Sequence, residues 1–309
     1  MSERLQIGVD LGGTKIAVSA FGPARQLVCA KRARTPQGSY DGTIETIAGL
    51  IEAIEGEQNK TATVGVGIPG SISPVTGRVQ NANSTWLNGR PMDRDLNQRL
   101  GRIVRFANDA NCFALSEAVD GAAAGARLVF GVIIGTGCGG GLVADGRIIN
   151  GPRGIGGEWG HNPLPWPEAA EFPGPICWCG RRGCMEVWVS GPGLVSDHCL
   201  VTGETLQPEA IFEHSDQGDK QARQSLDRHA SRLARGLAGI INIFDPDVIV
   251  LGGGLSNLSS LYDVLPSLIA PHIFSDNRDV DIRPPDYGDA SGVRGAAWLW
   301  NEQPLQSNC

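Results

Sequence analysis

His161, Cys177, Cys179 and Cys184 make a complete tetrahedral donor set for zinc, three thiols and one imidazole. The loop that carries the thiols, GPICWCGRRGCME, puts Gly180 and Gly183 where the chain must turn tightly to aim several sulfurs at one point. A disulfide with one cysteine left over, or three small buried side chains, would also account for the thiols. The interleaved glycines favour a metal knuckle, while the long tract before Cys177 leaves His161 the less constrained ligand. Four protein donors leave no position for a reactive water, so such a site braces structure. The chemistry is then expected beside it, and Glu158 and Glu186 bracket the cluster.

The chain that must position these groups has 309 residues, enough for one large domain or two medium ones without disulfide staples. It is 41% hydrophobic and 19% charged, with a formal charge of −7. That balance describes a soluble globular protein and argues against a broad nucleic-acid surface. No apolar run is long enough to span a bilayer, and MSERLQIGVDLGG lacks the apolar core of a signal peptide. Eight cysteines beside a thiolate metal site point to a reducing compartment, hence the cytoplasm.

Three glycine-rich turns punctuate the chain. LQIGV reads as a strand that ends at Asp10, and LGGTK turns into a second strand, IAVSAFG. Strand–turn–strand is neither a dinucleotide fingerprint nor a Walker A loop, both of which need a helix after the glycines. Gly12, Gly13 and Thr14 can still let backbone amides approach a phosphate, and Asp10 can hold magnesium through water. An ordinary hairpin fits the stretch equally well, with Lys15 facing solvent. VFGVIIG enters a second turn, TGCGGG at 136–141, and DVIVLGGGLSN supplies a third.

Between the turns lie the acceptor candidates. VRFANDANCFALSEA passes from strand to helix at Asn108–Asp109, a place where a carboxylate can receive a hydroxyl proton. The structural alternative is an Asp that only caps the helix. NANSTWLNGRP, with Asn83, offers amides and hydroxyls to polyol hydroxyls and Trp86 as an apolar wall, unless it is a plain polar turn. Val75–Val79 reads as a short strand, and residues 40–57, 92–101, 187–200, 207–214, 218–243, 259–271 and 291–300 carry helical patterns.

In this order, GVDLGGTK, FANDANC, GEWGH, CWCGRRGCME, DPDVIVLGGG and VRGAAWLW closely resemble the ROK family of sugar kinases, in particular its bacterial fructokinase/mannokinase branch. The resemblance spans nearly the whole chain. It implies an α/β, two-lobed actin-like ATPase fold of ribonuclease H-like type with a cleft between the lobes. Residues 1–118 would form the small N-terminal lobe, joined by a C-terminal helix at 292–309. Residues 119–291 would form the large lobe, with a zinc-binding loop at 161–184. The resemblance places Asp10, Gly12, Gly13, Thr14, Gly135, Thr136, Gly137, Gly252, Gly253 and Gly254 around magnesium–ATP, and Lys15 is counted with them. Asn108, Asp109, Glu158, His161 and Glu186 match its sugar site, to which Asn83 is added. Cys177, Cys179, Cys184 and His161 match its zinc ligands.

The implied reaction is transfer of the ATP γ-phosphoryl group to the 6-hydroxyl of D-fructose, with Asp109 accepting the proton and Mg2+ and Zn2+ as the metals. Mannose, glucose and the N-acetylhexosamines are the alternative acceptors. The tract before Cys177, with Trp166, Glu168 and Glu171, is longer than the glucokinase branch leads one to expect. NSTWLNG resembles the fructokinase/mannokinase branch, which makes fructose the preferred sugar. A homodimer is expected, with neither a nucleic-acid nor a membrane partner. A sugar-responsive repressor of the same family would carry a DNA-binding helix-turn-helix ahead of the first glycine turn, where nine residues precede Asp10.

Overall fold

The computed structural model describes residues 5–301. Its first half is built on β1 (Gln6–Leu11), β2 (Lys15–Phe21), β3 (Leu27–Arg34), α1 (Tyr40–Gln58), β4 (Thr63–Ile68), β5 (Ser71–Ile72), β6 (Val79–Gln80), α2 (Met92–Leu100) and β7 (Arg105–Asn108). A sheet of order β3-β2-β1-β4-β7 results, antiparallel across the β1–β2–β3 meander and parallel from β1 through β4 to β7. Helix α1 starts at Ser39, whose hydroxyl accepts from the Gly42 N–H at 3.1 Å. It buries Ile44, Ile47, Ile51 and Ile54, the stripe expected from helical spacing.

Strand β3 has no strand-like apolar pattern, because its exposed alternate positions are Val28, Ala30, Arg32 and Arg34 at the edge of the sheet. The strand expected at Val75–Val79 is instead a turn. β5 and β6 pair as a small hairpin, and the tip places Val75 90% exposed. Pro74 and Gly77 belong to that tip, where the N–H of Ser73 reaches the Arg78 carbonyl at 2.9 Å.

Helix α3 (Asp109–Asp120) leads into the second half: β8 (Leu128–Ile134), β9 (Cys138–Ala144), β10 (Arg147–Ile148), α4 (Glu186–Val189), α5 (Gly191–Thr202), α6 (Pro208–Asp216), α7 (Lys220–Phe244), β11 (Val248–Gly252), α8 (Ser260–Ile269) and β12 (Ile282–Arg283). The sheet order is β10-β9-β8-β11-β12, with β12 at the edge. TGCGGG is therefore only partly a turn, since β9 begins at Cys138. The chain closes with α9 (Ser291–Trp298). The expected helix 292–309 is thus shorter, ending at Trp298, and positions 302–309 lie outside the described residues.

The two halves meet through helices. α3 packs on β8 and β9, α9 packs on β1 and β4, and the helices pack on each other. A side chain at Gly295 would collide with the Cys112 carbonyl, and one at Gly8 with that of Val293, so glycine permits this close approach. The interface buries Trp298 completely and turns its indole N–H to Asp120 at 3.0 Å. Asp120 also pairs with Arg294 at 2.5 Å, and Glu117 accepts from the Ser291 hydroxyl at 2.6 Å. Buried carboxylates with satisfied partners thus fasten the two helices together.

Candidate functional site

The first glycine turn joins β1 to β2. The Gly12 N–H donates to the Lys15 carbonyl at 3.0 Å. The Gly12 carbonyl accepts from the Thr35 hydroxyl at 2.7 Å, and that of Gly13 from the Gln37 amide at 2.9 Å. Thr35 and Gln37, which the sequence did not single out, so hold the turn through its carbonyls. Thr14 and Lys15 are exposed. Asp10 pairs in register with Ala17 on one side and Gly67 on the other. Burial raises its carboxyl, Lys15 opposes the shift and Asp289 adds to it.

At the β7–α3 junction two adjacent residues divide the work. Asn108 is the helix cap: its side-chain oxygen accepts from the N–H groups of Ala110 and Asn111 at 2.9 and 3.4 Å. Its amide donates to the Gly70 carbonyl at 3.0 Å, so most of its capacity is spent on the backbone. Asp109 shares the Ala110 N–H with it, through one oxygen at 2.8 Å, but leaves the cap position to Asn108. It is half-buried, and burial pushes its carboxyl up to about 6, with the Asp10 and Glu158 charges acting in the same direction. Ala110 N–H, at 2.8 Å, and Asn108 pull the other way without cancelling the shift. Asn83 is exposed. It is the neighbouring Ser84, buried, whose hydroxyl would lie 3.6 Å from a Cβ at Gly13. Trp86 packs against the core of the first half and donates to Thr43 at 3.4 Å, so it is not a free wall.

Glu158 precedes a short turn of helix, Trp159–His161, docked on β9. The Trp159 indole donates to the Gly139 carbonyl at 3.0 Å, and its ring meets Phe130 edge-on at 5.6 Å. A Cβ at Gly140 would lie 2.7 Å from the Trp159 ring, and one at Gly141 2.5 Å from the Ala110 carbonyl. These glycines therefore serve packing, seating the Glu158 segment and α3 against the same strand. Burial raises the Glu158 carboxyl, His161 opposes the shift, and Glu186 adds to it. Asp10, Asp109, Glu158 and Glu186 thus form a chain of electrostatic neighbours drawn from distant parts of the sequence.

The donor atoms of His161, Cys177, Cys179 and Cys184 all lie within 4.8 Å of one another. Nδ1 of His161 is 3.7 Å from the Cys177 sulfur, and the Cys179 and Cys184 sulfurs are 3.6 Å apart. A tetrahedron with zinc–sulfur bonds of about 2.3 Å has edges of about 3.8 Å, so the donor set fits zinc in type and spacing. Nδ1 is the ring nitrogen turned to the thiols. Glu186, at the start of α4, accepts from the Trp178 indole at 2.6 Å through one oxygen and from the Cys138 N–H at 3.2 Å through the other.

Behind this loop the long tract is anchored by charge. Glu171, 7% exposed, accepts from Arg232 at 2.8 Å and from Arg235 at 2.8 Å through both oxygens. Arg232 also pairs with Asp197 at 2.7 Å and lies 4.5 Å over the Trp188 ring. Sequence reading took α7 for an apolar stripe and left these two arginines unplaced, because their partner lies more than sixty positions away.

A cavity of about 920 Å³ opens beside the second and third glycine turns. Gly135, Thr136 and Gly254 line it together with Gly191, Val195, Leu200 and Pro208. The N–H of Gly191 holds the Gly135 carbonyl at 2.8 Å. The α5 and α6 residues of this wall were not picked out from sequence, although Ser190-Gly-Pro-Gly, a capped helix start lined with small residues, was the available signal. Gly252 and Gly253 do not line the cavity. A Cβ at Gly252 would lie 2.6 Å from the Phe113 ring, and Gly253 turns with φ 83° against the Ile134 carbonyl. Gly137 faces Glu186. Asp10, Gly12, Gly13, Thr14 and Lys15 belong to the β1–β2 hairpin of the other sheet, and none of them lines this cavity.

Comparison with known proteins follows the same architecture. Residues 6–303 match the ROK family. An N-acetyl-D-glucosamine kinase of Shigella flexneri is 41% identical over 296 residues, covering 94% of this chain and 98% of that protein. A ROK hexokinase from Thermus thermophilus superposes with a TM-score of 0.84 at 31% identity, over 95% of this chain and 96% of that one. A ROK family glucokinase from Streptomyces griseus, solved with glucose and AMPPNP, gives 0.77 at 27% identity, over 96% and 98%. The fold is accordingly the two-lobed actin-like ATPase α/β fold. Matched along nearly its whole length, the chain belongs to the ROK family and is one of its sugar kinases.

Proposed function

We propose that this kinase transfers the γ-phosphoryl group of ATP to the 6-hydroxyl of N-acetyl-D-glucosamine. The observation that carries the phosphoryl-transfer chemistry is Asp109, which leaves the cap position to Asn108, with its carboxyl pushed up to about 6. A base is most effective when its pKa lies near the working pH, and this environment moves an ordinary aspartate toward that range. Asp109 accepts the proton of the attacking hydroxyl. Glu158 and Glu186 accept hydrogen bonds from the remaining sugar hydroxyls, and His161 offers the ring nitrogen not turned to the thiols.

The 920 Å³ cavity receives the nucleoside part of ATP, with Gly135 and Thr136 next to its phosphates. The first glycine turn approaches those phosphates from the other lobe. Asp10, a carboxylate near the end of β1, suits magnesium, which travels with ATP and neutralises charge on the transferring group. The Cys3His set would hold zinc, which fixes the loop and the orientation of His161.

The acceptor follows that of relatives 40–41% identical to this chain, N-acetyl-D-glucosamine kinases of Shigella flexneri and Photobacterium profundum. The fructose preference rested on NSTWLNG, and that support falls away where Asn83 is exposed and Trp86 is committed to packing. Side-by-side kcat/KM values for N-acetylglucosamine, N-acetylmannosamine, glucose, mannose and fructose test the reading. An N-acetylglucosamine value at least ten times that of each other sugar supports it, and a larger value for fructose overturns it. The homodimer remains a proposal, tested by sedimentation of the purified chain.

A further inference from the structure

We infer that Trp178 is a specificity-determining positioning residue, which holds Glu186 and selects at the end of the sugar remote from the reacting hydroxyl. The inference rests on the sugar-kinase site just proposed and names a residue that the site's chemistry has so far left out. Trp178 stands between two thiols of the metal loop, yet its side chain is 65% exposed and makes no part of a core. Its indole N–H donates to Glu186 at 2.6 Å, and its ring meets that of His161 edge-on at 5.0 Å and 84°. One side chain therefore touches both proposed sugar ligands that the metal loop controls.

The other oxygen of Glu186 accepts from the Cys138 N–H at 3.2 Å. The carboxylate thus spans the metal loop and the start of β9, and the oxygen that accepts from the indole also lies 3.9 Å from the Cys177 sulfur. An ionised carboxylate has about four acceptor directions, so both oxygens keep capacity for sugar hydroxyls while their orientation is fixed. Without the indole, that oxygen loses its short hydrogen bond, keeps only the long contact with the Cys177 sulfur, and the carboxylate can turn about its bond. The exposed face of the indole then supplies what two carboxylates and an imidazole lack, an apolar surface for the C–H face of a sugar ring or an N-acetyl methyl group.

Position decides which end of the sugar is affected. Asp109 opens α3 at the β7 junction, whereas Glu186 opens α4 and is held between the metal loop and the first residue of β9. With the 6-hydroxyl at Asp109, the groups around Glu186 and Trp178 meet the opposite end of the ring, where N-acetylglucosamine and glucose differ.

The test compares wild type with Trp178→Phe, which keeps a ring but removes the N–H, and with Trp178→Ala, which removes both. Each is assayed with N-acetylglucosamine, glucose and whichever other hexose the wild type phosphorylates, alongside zinc content and intrinsic fluorescence. Trp178→Phe should raise the sugar KM about ten-fold, the size of one hydrogen bond to a charged group, with kcat and ATP KM within about two-fold. Trp178→Ala should raise it further and shrink the ratio between the two sugars. Sugar added without ATP should change the wild-type fluorescence, and Trp178→Phe should lose that change. An unchanged sugar KM in Trp178→Phe overturns the inference. So does loss of zinc with equal damage to both substrates, which marks a purely structural residue. If the wild type prefers a hexose other than N-acetylglucosamine, the hexosamine reading fails, while the Trp178 comparison is decided on that hexose.

Discussion

A Cβ at Gly137 would lie 2.9 Å from the Glu186 carboxylate, so the second glycine turn, proposed to face phosphate, also touches a proposed sugar ligand. Gly254 contrasts with it: it lines the cavity proposed for the nucleotide, and a Cβ there meets nothing within 4 Å. A valine at each position therefore separates the two substrates. Gly137→Val should weaken sugar and nucleotide together, because Glu186 must move. Gly254→Val should fill cavity space, raising the ATP KM while sugar affinity stays near wild type. Calorimetric titration of each ligand decides, and normal nucleotide affinity in folded Gly254→Val would remove this turn from the ATP site.

Asp109→Asn should lower kcat by at least ~100-fold, within the range for loss of a general base, while sugar and ATP still bind. The pH profile carries a second signature. The base must be ionised to act, and its carboxyl is pushed up to about 6. In the wild type, kcat/KM for the sugar should therefore be flat above that pH and fall about ten-fold per unit below it. Near-normal turnover in the variant, or a wild-type profile flat down to pH 4.5, would reject Asp109 as the base.

The groups proposed to do the chemistry were the legible part of this chain. Asp109 stands at a strand–helix junction, and the thiols crowd into eight positions, so residue type and local spacing already name both. The glycines were less legible. Gly140 and Gly252 look like loop residues in the sequence but accommodate Trp159 and Phe113, partners that local pattern does not reveal. Asn108 was read as a sugar ligand, whereas three of its side-chain contacts go to backbone. Ion pairs between Glu171 and α7, and the bond from Trp178 to Glu186, depend on how loops return to the sheet. Hydrophobic periodicity carries no information about such contacts.

Replacing Cys179 with Ser should release about one zinc per chain and raise the sugar KM, because His161 and Cys177 lose the fourth partner that holds them. Elemental analysis reads the metal, and kinetics read the coupling. Thermal stability should fall too, since a structural zinc site contributes folding free energy. A variant that keeps both its zinc and its sugar kinetics would exclude Cys179 as a ligand. Active wild-type enzyme without zinc would dismiss the metal site itself.

Glu171 gives a prediction about stability that is independent of catalysis. It is 7% exposed and shared by two guanidinium groups, and although burial opposes ionisation, the hydrogen bonds from Arg235 and Arg232 hold its carboxyl down at about 2. A carboxyl lowered from 4.5 stabilises the fold by about 3 kcal/mol above its unfolded pKa, and loses that contribution as the pH falls toward 2. Glu171→Ala should cost about 3–5 kcal/mol at pH 7, because Arg232 and Arg235 stay buried with a partner removed. Glu171→Gln keeps the shape and should cost less. Its deficit against wild type should shrink as the pH is lowered from 4.5, because the wild-type carboxyl is then losing its charge as well. Thermal melts of the three proteins across that range provide the measurement. A Glu171→Gln deficit that stays constant from pH 7 to pH 3 would show that the charge on Glu171 contributes nothing, and that the tract before Cys177 is held by packing alone.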